Sequence, residues 1–148
     1  MNNLATDRSF ESIRVGETVS REHLITDELI MRFASLSGDH NPLHTDSSYA
    51  ASTEFGAIVA HGMLLGAFVS ELVGMELPGA RCLLMKESLE FKKPVFANDA
   101  IVVTGTVLHK SVATSILEIA ISIMRGADIV AAGIVHTKVI TPVTNLHE

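Results

Sequence analysis

The segment Ser37-Gly38-Asp39-His40-Asn41-Pro42-Leu43-His44 places a carboxylate and an imidazole on either side of a polar turn stiffened by proline. Such a pair can hold and activate one water. Histidine titrates near neutrality, at about 6.5 when unperturbed, so it exchanges protons at ordinary pH, and the aspartate accepts the water's other hydrogen bond. The spacing alone fits equally well an aspartate that stabilises a turn after Gly38 beside an ordinary histidine. His40 and His44 lie one helical turn apart, which on a single helix would present two imidazoles on one face, as in some zinc sites. Pro42 breaks the helix that this requires, and the single cysteine, Cys82, offers no second ligand pair, so no metal is expected. A glycine-rich phosphate loop is absent from the sequence, and no cofactor is indicated.

A second place for chemistry is Ala60-His61-Gly62-Met63, at the predicted start of an apolar helix. The first backbone N–H groups of a helix have no partner within it. Aimed into a pocket, they would stabilise the negative charge that builds on a thioester oxygen as it becomes enolate-like, and Gly62 would let that oxygen approach the main chain. The alternative is that Gly62 only permits close packing of helix on sheet. Ser70 and Glu71, toward the other end of this helix, read as a helix-surface serine and a solvated carboxylate.

These residues need a scaffold, and the pattern around them predicts one. A strand is expected over 17–25, between Gly16 and Thr26. Thr26 then caps a helix with Asp27 and Glu28 in its first turn and Leu29, Ile30, Phe33 and Leu36 on one face, ended by Gly38. An irregular segment around Asn41-Pro42 leads to a short helix capped by Ser47 or Ser48 and containing 49–52. The run 61–73 is apolar on nearly every face, predicting a central helix surrounded by protein and stopped by Gly74 and Pro78-Gly79. Leu89 and Phe91 then alternate with Ser88, Glu90 and Lys92, and β-rich runs follow at 101–108, 115–124 and 129–140, with turn signals at Asn98-Asp99 and Arg125-Gly126. Connections too short for helices imply an antiparallel sheet. The expected class is α+β, with one hydrophobic helix lying across a curved sheet and residues 1–148 as one domain.

Composition narrows the partners. Of the 148 residues, 47% are hydrophobic, yet the longest uncharged apolar stretch, 57–70, falls well short of a membrane span and contains His61. The N-terminal residues lack the apolar core of a secretory signal, which points to the cytoplasm. A net charge of −6 without a basic stripe argues against nucleic acid. Cys82, in the apolar run Cys82-Leu83-Leu84, reads as a buried structural thiol.

With these residues in place, the chain resembles the MaoC-like (R)-specific enoyl-CoA hydratases and dehydratases. The resemblance rests on Phe33, Leu36, Ser37, Gly38, Asp39, Asn41, Pro42, Leu43, His44 and Ala50. It extends to His61-Gly62-Met63-Leu64 and to Leu89, Phe91, Pro94-Val95 and Asp99, so it spans about 33–99. It implies a hot-dog fold in which Asp39 and His44 hold the catalytic water and the Gly62 N–H forms the oxyanion hole. Asn41 would orient the loop, and Ser70 would line the site. It further implies a coenzyme A thioester substrate, a homodimer of hot-dog domains, and a role in fatty acid metabolism through reversible hydration of trans-2-enoyl-CoA to (R)-3-hydroxyacyl-CoA. Leu72 and Val73 would stand near the floor of the acyl pocket. Two rivals are a hot-dog acyl-CoA thioesterase, for which Glu71 is the one acidic candidate on the central helix, and a catalytically silent thioester-binding module.

Overall fold

The structure, a computed structural model, describes residues 4–143. In chain order it contains β1 (Thr18–Leu24), α1 (Asp27–Ser37), α2 (Pro42–Thr45), α3 (Ser47–Ala51), α4 (Gly62–Met75), β2 (Cys82–Phe91), β3 (Ala100–Ser111), β4 (Ile116–Arg125) and β5 (Asp128–Val139). The five strands form one antiparallel sheet in the order β1-β3-β4-β5-β2, with α4 packed against it. This is the hot-dog arrangement. Among the described residues no helix is long and apolar enough to cross a membrane.

Alternation along the strands makes the core. Ile101, Val103 and Val107 of β3 and Leu117, Ile119, Ile121 and Ile123 of β4 are buried, with half-buried residues between them, as a period of two requires. Against this face α4 buries Leu64, Leu65, Val69, Leu72 and Val73. The opposite stripe of the helix, Met63, Ala67 and Ser70, is exposed. The expectation of a helix enclosed on nearly every face therefore fails for the single chain: the sheet covers one side, and on the other Ala67 opens into a cavity shared with α1. Gly74 does not stop the helix either; a glycine within a helix is tolerated at modest cost, and α4 continues to Met75.

The segments flanking the site fold for local reasons. The Thr26 hydroxyl accepts the Leu29 N–H at 3.1 Å, and Gly38, at φ 78°, closes α1 with its N–H on the Ala34 carbonyl. Pro42 opens α2 at a position where a missing N–H costs nothing, so the predicted irregular segment is a single helical turn capped by Asn41. α3 is capped by Asp46 rather than Ser47 or Ser48, its Oδ1 accepting the N–H groups of Ser48 and Tyr49 at 2.9 and 3.0 Å. A carboxylate one residue earlier satisfies two helix donors at once.

The strand order carries a consequence for the site. β2 and β3 are consecutive in the chain but lie at separate places in the sheet, so residues 92–99 must cross between them. That crossing is pinned at both ends: the Ala60 N–H donates to Val95 O at 2.7 Å, and the Asn98 N–H to Ile25 O at 2.6 Å. Asp99 accepts from the Phe96 N–H and from Arg125 Nη1, at 2.8 and 2.9 Å. The crossing thus delivers Lys92, Lys93, Pro94 and Val95 to the start of α4.

Candidate active site

The turn after α1 is built from side chains bonding to nearby backbone. Ser37 Oγ donates to Phe33 O at 2.7 Å and accepts the Asp39 N–H at 3.2 Å. Asp39 Oδ1 accepts the Asn41 N–H at 3.2 Å, and Asn41 Oδ1 accepts the Leu43 N–H at 3.0 Å. These short-range bonds hold the four-residue loop 38–41, and among the described residues no Lys or Arg pairs with Asp39, which is exposed. Asn41 caps α2 through its Oδ1 on the Leu43 N–H.

His44 leaves α2 toward the segment before α4, where its Nδ1–H donates to Val59 O at 2.6 Å. A carbonyl cannot donate, so this bond fixes the tautomer and leaves Nε2 of the neutral ring with a free lone pair. His61 repeats the logic with the other nitrogen. Its Nε2–H donates to the backbone oxygen of Asp39 at 3.0 Å, while Nδ1 is buried without a partner. The two imidazoles stack with centroids 3.9 Å apart, and Phe33 packs against His61 at 5.0 Å. One donor atom from each of Asp39, His44 and His61 lies within 4.8 Å of the other two. The Asp39 carboxylate and the His44 lone pair suit a water; His61, with Nε2–H on a carbonyl and Nδ1 buried, would have to change tautomer before the three could hold a divalent cation. His40, the residue weighed as a ligand from spacing, is exposed and outside this group.

His44 and Gly62 line one cavity of about 360 Å³, together with Phe55, Leu65, Phe91 and the crossing residues from Lys92 to Val95. No side chain caps the first turn of α4. A Cβ placed on Gly62 would meet the Phe91 ring at 3.1 Å. The close-packing reading of this glycine is what the contact shows: it lets Phe91 pack on the start of α4, which lies uncapped in the same cavity as His44.

Other sequence candidates lie elsewhere. Ser70 is exposed, two turns of α4 beyond Gly62, and does not line this cavity. Leu72 and Val73 are 0% and 1% exposed and belong to the core against the sheet, not to the floor of the His44 cavity. Glu71 is not a free solvated carboxylate. Arg21 of β1 donates to Glu71 and also, at 3.1 Å, to Glu76, while His23 Nε2 stands 3.3 Å from Glu71 Oε2 and stacks on Phe68. Burial pushes the His23 pKa down, with the Glu71 charge opposing. Cys82 is half-buried, and burial pushes its thiol up to about 11, where it carries almost no thiolate. His61 is the site member that spacing did not single out. Its signal was a lone imidazole inside the longest apolar stretch, which must find polar partners once buried.

The fold and the grouped carboxylate and imidazoles define a hot-dog protein with a polar cluster beside a bare helix start. Residues 11–123 match the family described as MaoC like domain, and the chain belongs to that family. It is 41% identical over 98 residues to an (R)-specific enoyl-CoA hydratase of Rhodospirillum rubrum, an alignment covering 66% of this chain and 68% of the relative. Among solved structures, an (R)-hydratase from Aeromonas caviae, described as involved in PHA biosynthesis, superposes with a TM-score of 0.85 at 32% identity, covering 88% of this chain and 99% of the other. An unliganded R-hydratase from Pseudomonas aeruginosa superposes with a TM-score of 0.87 at 28% identity, covering 97% and 96%.

Proposed function

We propose that the protein is an (R)-specific enoyl-CoA hydratase, a hydro-lyase that reversibly adds water across trans-2-enoyl-CoA to give (R)-3-hydroxyacyl-CoA. The observation that carries the reading is the tautomer fixed on His44. With Nδ1–H committed to Val59 O, the neutral ring keeps its lone pair on Nε2; His44 lines the same cavity as the uncapped Gly62 and groups with Asp39 and His61, one ligand atom of each within 4.8 Å of the others.

In the forward direction Asp39 and His44 hold one water. As its oxygen bonds to C3, the π electron pair moves toward the thioester carbonyl, whose oxygen gains charge beside the Gly62 N–H. The proton taken from the water is returned to C2 on the same face, so the addition is syn and no redox partner is needed. Asn41 keeps the loop in shape through the cap on α2. Ser70, exposed on α4 and outside the His44 cavity, is kept from the resemblance as a residue that lines the site.

The reading takes residues 1–148 as one domain acting in the cytoplasm on water-soluble coenzyme A thioesters of fatty acid metabolism, as a homodimer. A second copy is supported by the exposed stripe Met63, Ala67 and Ser70 of α4 and by β2, a ten-residue strand at the edge of the sheet with Leu83 and Met85 exposed.

The test is to make Asp39→Ala and His44→Ala and follow loss of the enoyl-thioester absorbance. Positioned acid–base groups contribute roughly a hundred- to ten-thousand-fold each, so both variants should lose that much turnover while staying folded. Wild-type rates in both would sink the assignment. Against the thioesterase alternative stands Glu71, already occupied by Arg21 and His23; release of free thiol from saturated acyl-CoA would revive it. A wild-type protein that binds enoyl-CoA without turning it over would be the silent module.

A further inference from the structure

The two halves of the proposed machinery come from different parts of the chain: Asp39 and His44 from the segment after α1, the Gly62 N–H from the first residue of α4. They work together only if held in fixed register, since a misplacement of about 1 Å can cost about a hundredfold in rate. The His44 Nδ1–H on Val59 O ties the loop to the segment before α4, and a second side chain reaches from the helix start to the Asp39 turn itself. His61 directly precedes Gly62, donates its Nε2–H to the Asp39 backbone oxygen at 3.0 Å, and lays its ring on His44 at 3.9 Å.

His61 is not placed there to start the helix. It occupies the cap position of α4 but makes no side-chain cap bond. Nor is an imidazole the natural filler of that space: the residue is 2% exposed, Phe33 packs on it, and its Nδ1 is buried without a partner. An apolar ring would fill the same volume without stranding a polar atom. What the imidazole alone supplies is the N–H on the Asp39 carbonyl.

We propose that His61 is a positioning residue of the hydration reaction, tying the Asp39 turn to the Gly62 end of α4 through its Nε2–H and setting the plane of His44 through the stacked ring. This rests on the hydratase reading. His61 touches neither the water nor the substrate in this role; it acts through Asp39 and His44.

Two substitutions separate the tie from mere filling. His61→Phe keeps the ring and the volume but loses the donor. His61→Gln loses the ring but keeps an amide N–H near the Nε2 position. With an enoyl-CoA substrate, H61F should lower kcat at least about tenfold with KM changed by less than about twofold, and H61Q should recover most of that loss. A purely structural residue gives the reverse order, because H61F preserves the packing better and should have the higher Tm. The inference is overturned if H61F retains wild-type kcat, or if H61Q is no more active than H61F. A second measurement does not depend on turnover: ¹⁵N spectra of the wild-type imidazoles near pH 7 should show His61 protonated at Nε2 and bare at Nδ1. The opposite tautomer overturns the tie. Absence of hydration by the wild-type protein would instead remove the hydratase reading, and the spectra would still decide whether the tie exists.

Discussion

Two groups of carboxylate and imidazole side chains face α4, one at each end, and they are built to opposite purposes. At the start of the helix, Asp39 has no basic partner, and His44 and His61 each spend one N–H on a backbone carbonyl. At the far end, Glu71 and Glu76 share Arg21, and His23 is held between Glu71 and the Phe68 ring. Carbonyl acceptors fix a tautomer without changing the charge, and so leave a lone pair and a carboxylate available for a water. Arginine neutralises the carboxylate it meets and withdraws it from proton transfer. Residue type alone would rank the two groups equally; their partners separate them.

The sharpest way to break this comparison is to make the same nearly isosteric change at both ends. Asp39→Asn should lower kcat by roughly a hundred- to ten-thousand-fold, whereas Glu71→Gln should leave steady-state hydration unchanged and cost at most about 1 kcal/mol of stability in a denaturant titration, as partly exposed ion pairs do. Equal losses would mean that the far cluster also acts in catalysis. Gly62→Ala comes next. Its Cβ would press on Phe91 at 3.1 Å, and we expect a loss of about ten- to a hundredfold in kcat/KM, because the ring and the helix start that line the cavity must both shift. A chelator probes the donor trio itself: a water-based reaction keeps its full rate after dialysis against EDTA, while loss of activity restored by zinc would make Asp39, His44 and His61 cation ligands.

The smallest effect concerns pH and the far cluster. The pKa of His23 is depressed in the folded protein by burial, so the stability it contributes is complete above the unfolded value of about 6.5 and is lost as pH falls through the lower folded value. Replacing His23 by Phe, which keeps the stack on Phe68, should flatten the fall in Tm on the acid side of pH 6.5. An unchanged acid limb would show that other groups set it. Glu87 has the opposite sign. Burial raises its pKa and its Oε1 has no partner, so Glu87→Gln should raise Tm at neutral pH, with the gain vanishing once the wild-type carboxyl is protonated.

Much of this was legible in the chain because it depends on near neighbours. The cap at Thr26, the stop at Gly38 and the β-rich run at 101–108 are each written in a few adjacent residues, and each is found as expected. The misreadings have local causes as well: Asp46, one residue before Ser47, caps α3, and Pro42, which does keep His40 and His44 off one helix, also opens the single turn of α2. Asp39, Asn41, His44 and Gly62 were found through the pattern they share with a family, since spacing by itself did not distinguish them from a capped turn and a close-packed glycine.

By itself, then, the sequence determined the class of fold and the position of the polar loop, and it offered Asp39 and His44 as the acid–base pair proposed above. Tertiary structure alone decided that β2 lies beside β5, so that residues 92–99 cross to the start of α4, that His61 joins His44 and Asp39, and that Arg21 and His23 occupy Glu71. The reason is range. Caps and strand alternation are fixed by bonds between residues a few positions apart, whereas partners fifteen to fifty positions distant, such as Val59 for His44, Asp39 for His61 and Arg21 for Glu71, are chosen only when the packed sheet and helix bring them together.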